Sequence, residues 1–205
     1  MTPKNGKIKI HDDRIEIKPH RPDIKEKIFF LLSGVIVSIP ITLLFESLVG
    51  NASSALPTFI AQAILIVIFA PIIEEFSKAF PLFYRHGETE RSIFILGFLV
   101  GLGFGLSEFF VYVFITGVPI LIRLPGILFH AASTSIIAYG IAKRQPIRYY
   151  SLAVGLHFLN NFSALSDPGI IGVLIANIGA YYLSWHFYKK TSEKFIDQQM
   201  NYYSI

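Results

Sequence analysis

The sequence predicts an all-α, polytopic membrane protein of six transmembrane helices, with both termini cytoplasmic and a small β-hairpin at the N-terminus. Three observations predict it. The 205-residue chain is 53% hydrophobic and 16% charged, where soluble domains carry about 25% charged residues. Thirteen of its charged side chains fall in residues 1–27 and five in residues 189–205, which leaves an apolar middle between polar ends. Within that middle, six runs reach or approach the roughly 20 residues needed to cross a hydrocarbon layer about 30 Å thick. The organisation expected is a cytoplasmic segment 1–27, a membrane domain 28–188 and a cytoplasmic tail 189–205.

The six runs are Ile28–Leu48, Leu56–Phe83, Ile93–Ile115, Pro119–Ala142, Tyr149–Leu165 and Gly169–Phe187. The fifth is short and carries His157, Asn160 and Asn161, so hydropathy alone would not select it. The basic residues select it instead. Eight Lys and Arg precede the first run, Arg85 and Arg91 follow the second, and Lys143, Arg144 and Arg148 follow the fourth. Lys189, Lys190 and Lys194 follow the sixth, while the connections around residues 49–55 and 166–169 have none. Basic residues collect on the cytoplasmic side, which puts both ends there and places the protein in the cell membrane. Arg123 is expected to snorkel outward from the outer end of the fourth run.

Residues 1–27 are too polar for a cleavable signal. Isoleucines in period two on either side of His11-Asp-Asp-Arg14 suggest the hairpin, which is marginal in water on its own. It could lie over the cytoplasmic face or add a strand to a substrate. The absence of cysteine excludes disulfides, thiol nucleophiles and Cys-based metal sites. The net charge of +4 belongs to the membrane flanks, so no nucleic-acid partner is expected.

Ionisable groups inside a span cost roughly 2.5–3.5 kcal/mol each, so they face the protein interior and carry function. The spans hold Glu74, Glu75, Lys78, Glu108, His130 and His157, accompanied by Thr134 and Asn161. At about 1.5 Å per helical residue, Glu74 lies about 16 Å, Glu108 about 25 Å, His130 about 20 Å, and His157 about 14 Å from the cytoplasmic ends of their helices. Four helices therefore place their unusual residues in one central slab. Lys78 stands at i+4 from Glu74 and i+3 from Glu75 and can reach either carboxylate. His130 and Thr134 share a helix face, as do His157 and Asn161. The glycines at 97, 101, 103 and 105 form a ridge for close helix contact.

Polar residues at mid-membrane suit proteolysis, ion transport or structural pairing. Several protease chemistries are absent: there is no His-Glu-x-x-His and no Gly-x-Gly-Asp, and Asp167 sits only at an outer mouth. Gly105-Leu-Ser107 is a weak echo of a rhomboid serine segment. Two histidines with one carboxylate also make a catalytic zinc set, available from His130, His157 and Glu108 or Glu74. Zinc is thus admitted as a cofactor but not demanded.

Four short motifs carry a resemblance. Glu74-Glu-Phe-Ser-Lys78, Phe104-Gly-Leu-Ser-Glu108, His130-Ala-Ala-Ser-Thr134 and His157-Phe-Leu-Asn-Asn161 resemble, in order, the motifs of the PrsW intramembrane proteases. That family lies in the superfamily of CAAX prenyl proteases and bacteriocin-processing proteins. Lys78 at its spacing favours PrsW over the CAAX branch, and Phe109 departs from the family's frequent Asn. The resemblance implies an intramembrane endopeptidase of glutamic or metallo type acting on membrane-anchored proteins or peptides. It implies Glu74 as the general base. Two adjacent carboxylates in a low-dielectric site cannot both ionise cheaply, so Glu75 is assigned to Lys78, although the reverse pairing is within reach. His157 and Asn161 would donate to the developing oxyanion, with His130 as a third donor or water-holder. Two other readings stay open: a non-catalytic scaffold of the same superfamily, and an ion-coupled carrier using Glu74, Glu75 and Glu108. The sequence leaves the oligomeric state open.

Overall fold

The computed structural model describes residues 9–11, 14–16, 20–84, 89–165 and 169–193. The tail beyond Glu193, Arg85 and Asp167 lie outside the described residues. Among the described residues six long helices follow in order: α1 (Ile24–Ala52), α2 (Thr58–Phe83), α3 (Glu90–Ile115), α4 (Ile120–Ala142), α5 (Pro146–Ala164) and α6 (Ile170–Lys190). Five of them are long and apolar enough to cross a bilayer, and the chain is a multi-pass membrane protein. The exception is α5, a 19-residue helix whose polar residues hold it below that threshold. Six crossings were expected; among the described residues five helices have the length and hydropathy of a span, and α5 is a further helix that falls short of it. At the N-terminus, β1 (Lys9–His11) and β2 (Arg14–Glu16) pair antiparallel over three residues, with Lys9 opposite Glu16.

Local chemistry sets the helix ends. Asp23 and Glu26 close a reciprocal capping box at the start of α1. Thr89 accepts from the Ser92 backbone N–H at the start of α3. Pro146 opens α5 at a position where its missing N–H is not needed.

Inside α1 and α2 the ladder loosens into π-helical segments at Gly34–Ser38 and Leu65–Phe69. Each stands two residues ahead of a proline, Pro40 and Pro71. In the second segment Ala70 N–H donates to Leu65 O. The next donor in that i→i−5 series would be Pro71, which has none, and Ile66 O is left to the Nδ2 of Asn161 on α5 at 3.0 Å.

Helices α3 and α4 form the centre. Leu96 and Val100 of α3, Phe30 of α1, Leu82 of α2 and Ala138 of α4 make one apolar core. Phe129 and Ala132 of α4 with Ala176 and Ala180 of α6 make another. The α3–α4 approach depends on Gly101, where a Cβ would run into His130 O, Thr134 Oγ1 and the Ala131 backbone. That contact seats His130 against α3.

Candidate active site

Glu74, Glu75 and Lys78 project from α2 just beyond the π-helical segment and are buried. His130 from α4 and His157 from α5 are buried with them, their ring centres 5.3 Å apart. All four helices expected to place unusual residues in the central slab thus bring them together, Glu108 of α3 joining through His130.

Lys78 organises the cluster. Its Nζ donates to Glu75 Oε1 at 2.7 Å, to His130 Nδ1 at 3.0 Å and to Ser133 Oγ at 3.4 Å. An ammonium has three donors, and all three are used. Of the two carboxylates within its reach, Lys78 pairs with Glu75. Glu75 Oε1 also accepts from Ser133 Oγ at 3.1 Å and lies 2.9 Å from His157 Nδ1. A carboxylate only accepts, so His157 carries its proton on Nδ1 and turns a bare Nε2 outward. By the same reasoning His130, accepting from Lys78 at Nδ1, carries its proton on Nε2 and gives it to Glu108 Oε2 at 2.6 Å.

Glu108 is the second anchor. Its Oε1 lies 3.0 Å from Arg123 Nη2, and the Arg123 guanidinium stacks 3.5 Å above the Tyr112 ring. Arg123, expected only to snorkel outward, thus also has a partner within the protein: a carboxylate with an aromatic face beside it holds the guanidinium.

Glu74 is different from its neighbour. Its Oε2 is buried without a hydrogen-bond partner and faces His157 Nε2 at 3.7 Å. Both atoms present lone pairs, so the gap between them calls for something positive: a proton, the hydrogens of a water, or a metal ion. An unsatisfied buried acceptor costs about 1–3 kcal/mol. Ligand atoms of Glu74, His130 and His157 fall within 4.8 Å of one another, a group able to hold a metal ion. The metal set expected from sequence was His130 and His157 with Glu108 or Glu74, Glu108 being preferred. The carboxylate that joins the histidines here is Glu74, because both oxygens of Glu108 already have partners. The donor types fit zinc, and Glu75 behind His157 is the outer carboxylate such sites use. His130 would have to exchange its Glu108 contact for the ion.

Asn161 sits one turn beyond His157, with its amide on Ile66 O rather than in the cluster. Thr134 Oγ1 bonds back to His130 O at 2.9 Å. The Phe104 ring lies 5.1 Å from the His130 ring and 5.1 Å from Lys78 Nζ, covering the cluster from α3. Sequence reasoning gave no role to Ser133 or Arg123. Ser133 is marked only by its i+3 spacing from His130, and Arg123 only by lying within a helix length of Glu108.

No curated protein and no solved structure matches the chain. The family model of PrsW intramembrane metalloproteases matches residues 24–186, which takes in all six helices and every residue of the cluster. With that match over most of its length, the chain belongs to the PrsW family of intramembrane metalloproteases.

Proposed function

We propose that the chain hydrolyses peptide bonds of membrane-anchored proteins or peptides in the plane of the cell membrane, with Glu74 as the base that activates water. The observation that carries this reading is the pair of facing acceptors, Glu74 Oε2 and His157 Nε2, 3.7 Å apart in a buried site. A water between them gives one hydrogen to each and turns a lone pair toward a substrate carbonyl. Glu74 takes the proton as the water attacks and delivers it to the leaving amine. Glu75, fixed by Lys78 and Ser133, keeps His157 in the tautomer that accepts. His130 turns its Nε2–H from Glu108 Oε2 to the oxygen that gains charge, while Lys78 keeps its Nδ1 in place. Asn161 acts at one remove, by holding the backbone of α2. A metal held by Glu74, His130 and His157 would supply Lewis-acid polarisation and a more acidic bound water.

The same reading takes α5 as a sixth crossing, puts both termini on the cytoplasmic side and lays the short N-terminal strand pair over that face. The test is cleavage of a membrane-anchored substrate by purified protein in detergent. Glu74→Gln and His157→Ala should each lower the rate by about 10²-fold or more while helix content by circular dichroism stays at the wild-type level. Cleavage at the wild-type rate in both variants would overturn the site assignment, and absence of cleavage by the wild type would favour a scaffold or carrier.

A further inference from the structure

On the reverse side of α4 from the cluster, α3, α4 and α6 leave an open groove of about 430 Å³. That volume lies in the range of roughly 300–1,000 Å³ typical of small-molecule sites. Leu128 and Ala132 line it from α4. Ala132 is two residues from His130, about 200° around the helix, so the groove is not a branch of the active site.

Its wall is hydrocarbon. The polar atoms nearest it are turned into the protein: Ser184 Oγ meets Ser135 Oγ at 2.8 Å, and Tyr181 OH donates to Pro125 O at 2.7 Å and to Asn177 Oδ1 at 3.1 Å. Only an apolar chain fills such a space without stranding a polar group.

One end of the groove is charged. Trp185 and Tyr188 line that end. Lys189 Nζ lies 4.5 Å from the centre of the Trp185 ring, and the Arg91 guanidinium 5.3 Å from that of Tyr188. Arg91 is the second residue of α3 and Lys189 and Lys190 close α6, so all three stand at the same membrane boundary. Two acidic residues are described near this rim: Glu193, 3.9 Å from Arg91 and 3.7 Å from Arg21, and Glu90, which is paired with Lys143 and accepts from Ser192. Cations at a membrane boundary attract anionic headgroups.

We infer that this groove is a binding site for an anionic glycerophospholipid, with one acyl chain along α3, α4 and α6 and the phosphate at Lys189, Lys190 and Arg91. The apolar wall sets the place of the chain, and the rim sets the preference for negative charge.

The chain has a single tryptophan, and it stands in the groove, so Trp185 fluorescence reports occupancy directly. Full-length protein is reconstituted in phosphatidylcholine vesicles containing a fixed fraction of acyl-brominated lipid, either phosphatidylglycerol or phosphatidylcholine. Brominated phosphatidylglycerol should quench Trp185 at least twofold more than brominated phosphatidylcholine at equal mole fraction. The excess should vanish in Lys189→Gln/Lys190→Gln, which removes rim charge. It should also vanish in Ile95→Phe/Leu128→Phe, which fills the groove from lipid-facing positions and keeps the rim. Equal quenching by the two lipids in wild type would overturn the proposal. So would an excess that survives filling of the groove, since that would show attraction to the rim alone.

Discussion

Lys78 is the residue on which the site turns. Buried and bonded to Glu75, His130 and Ser133, it offsets a carboxylate that water cannot reach. Lys78→Met should destabilise the protein by about 3–5 kcal/mol, the usual cost of leaving one buried charge unpaired, and thermal unfolding in detergent measures it. Adding Glu75→Leu to that variant should recover most of the stability and none of the activity, because His157 then loses the acceptor that sets its tautomer. The pairing was legible in the sequence only as an alternative: i+3 and i+4 spacing allows Lys78 either glutamate. What decides between them is not local. Ser133 and His157 also aim at Glu75 Oε1, and they arrive from α4 and α5. The pairing of Arg123 with Glu108 was not legible for a related reason. Depth along a helix can be counted in residues, but the side of the helix that meets Glu108 depends on how α3 and α4 turn about each other.

Among the elements, the α3–α4 contact and the break in α2 control where the cluster sits. Gly101 meets the backbone of α4 at the level of His130. Gly101→Ala should force the helices apart, cost about 1–3 kcal/mol as overpacking does, and lower cleavage by moving His130. Gly126→Ala, on the same pair of helices with nothing within 4 Å of its Cβ, should leave both unchanged. Unfolding midpoints and cleavage rates of the two variants, side by side, check this. The glycine ridge was readable as packing from sequence. The π-helical segments were not foreseen, although Pro40 and Pro71 stand in plain sight within apolar runs. A proline announces a missing donor; which neighbouring side chain takes the freed carbonyl depends on tertiary structure. Here it is Asn161, which the motif resemblance had placed at the oxyanion.

Across the whole molecule, the membrane class and the helix order follow from composition and charge placement, because lipid leaves few other solutions for an apolar chain. α5 is where that logic thins. Its polar residues point to partners on α2 and α6, Asn161 to Ile66 O and Asn160 Oδ1 accepting from Asn177 Nδ2 at 2.9 Å, so its stability owes less to lipid than to neighbours. With α5 as a crossing, residues 25 and 189 lie on one side and residue 54 on the other. The cysteine-free chain makes this testable without background. Lys25→Cys and Lys189→Cys should react with a membrane-impermeant maleimide only after permeabilisation, and Ser54→Cys before it. Labelling of positions 25 and 189 from opposite sides would remove the sixth crossing.

The division of labour between the two adjacent glutamates has a pharmacological consequence. Among the described residues, the buried atoms of the cluster that lack a partner are Glu74 Oε2 and Glu75 Oε2, both carboxylate oxygens, while every Lys78 donor is committed. An incoming inhibitor therefore meets unpartnered acceptors, while the His130 Nε2–H is held by Glu108. Anionic mimics of the tetrahedral intermediate, such as a phosphinate peptide, should be repelled by the metal-free protein and bind once a divalent ion occupies Glu74, His130 and His157. Inhibition measured before and after treatment with a strong chelator reads this out. A phosphinate that inhibits equally in both states would show that its charge is met by some group other than a metal.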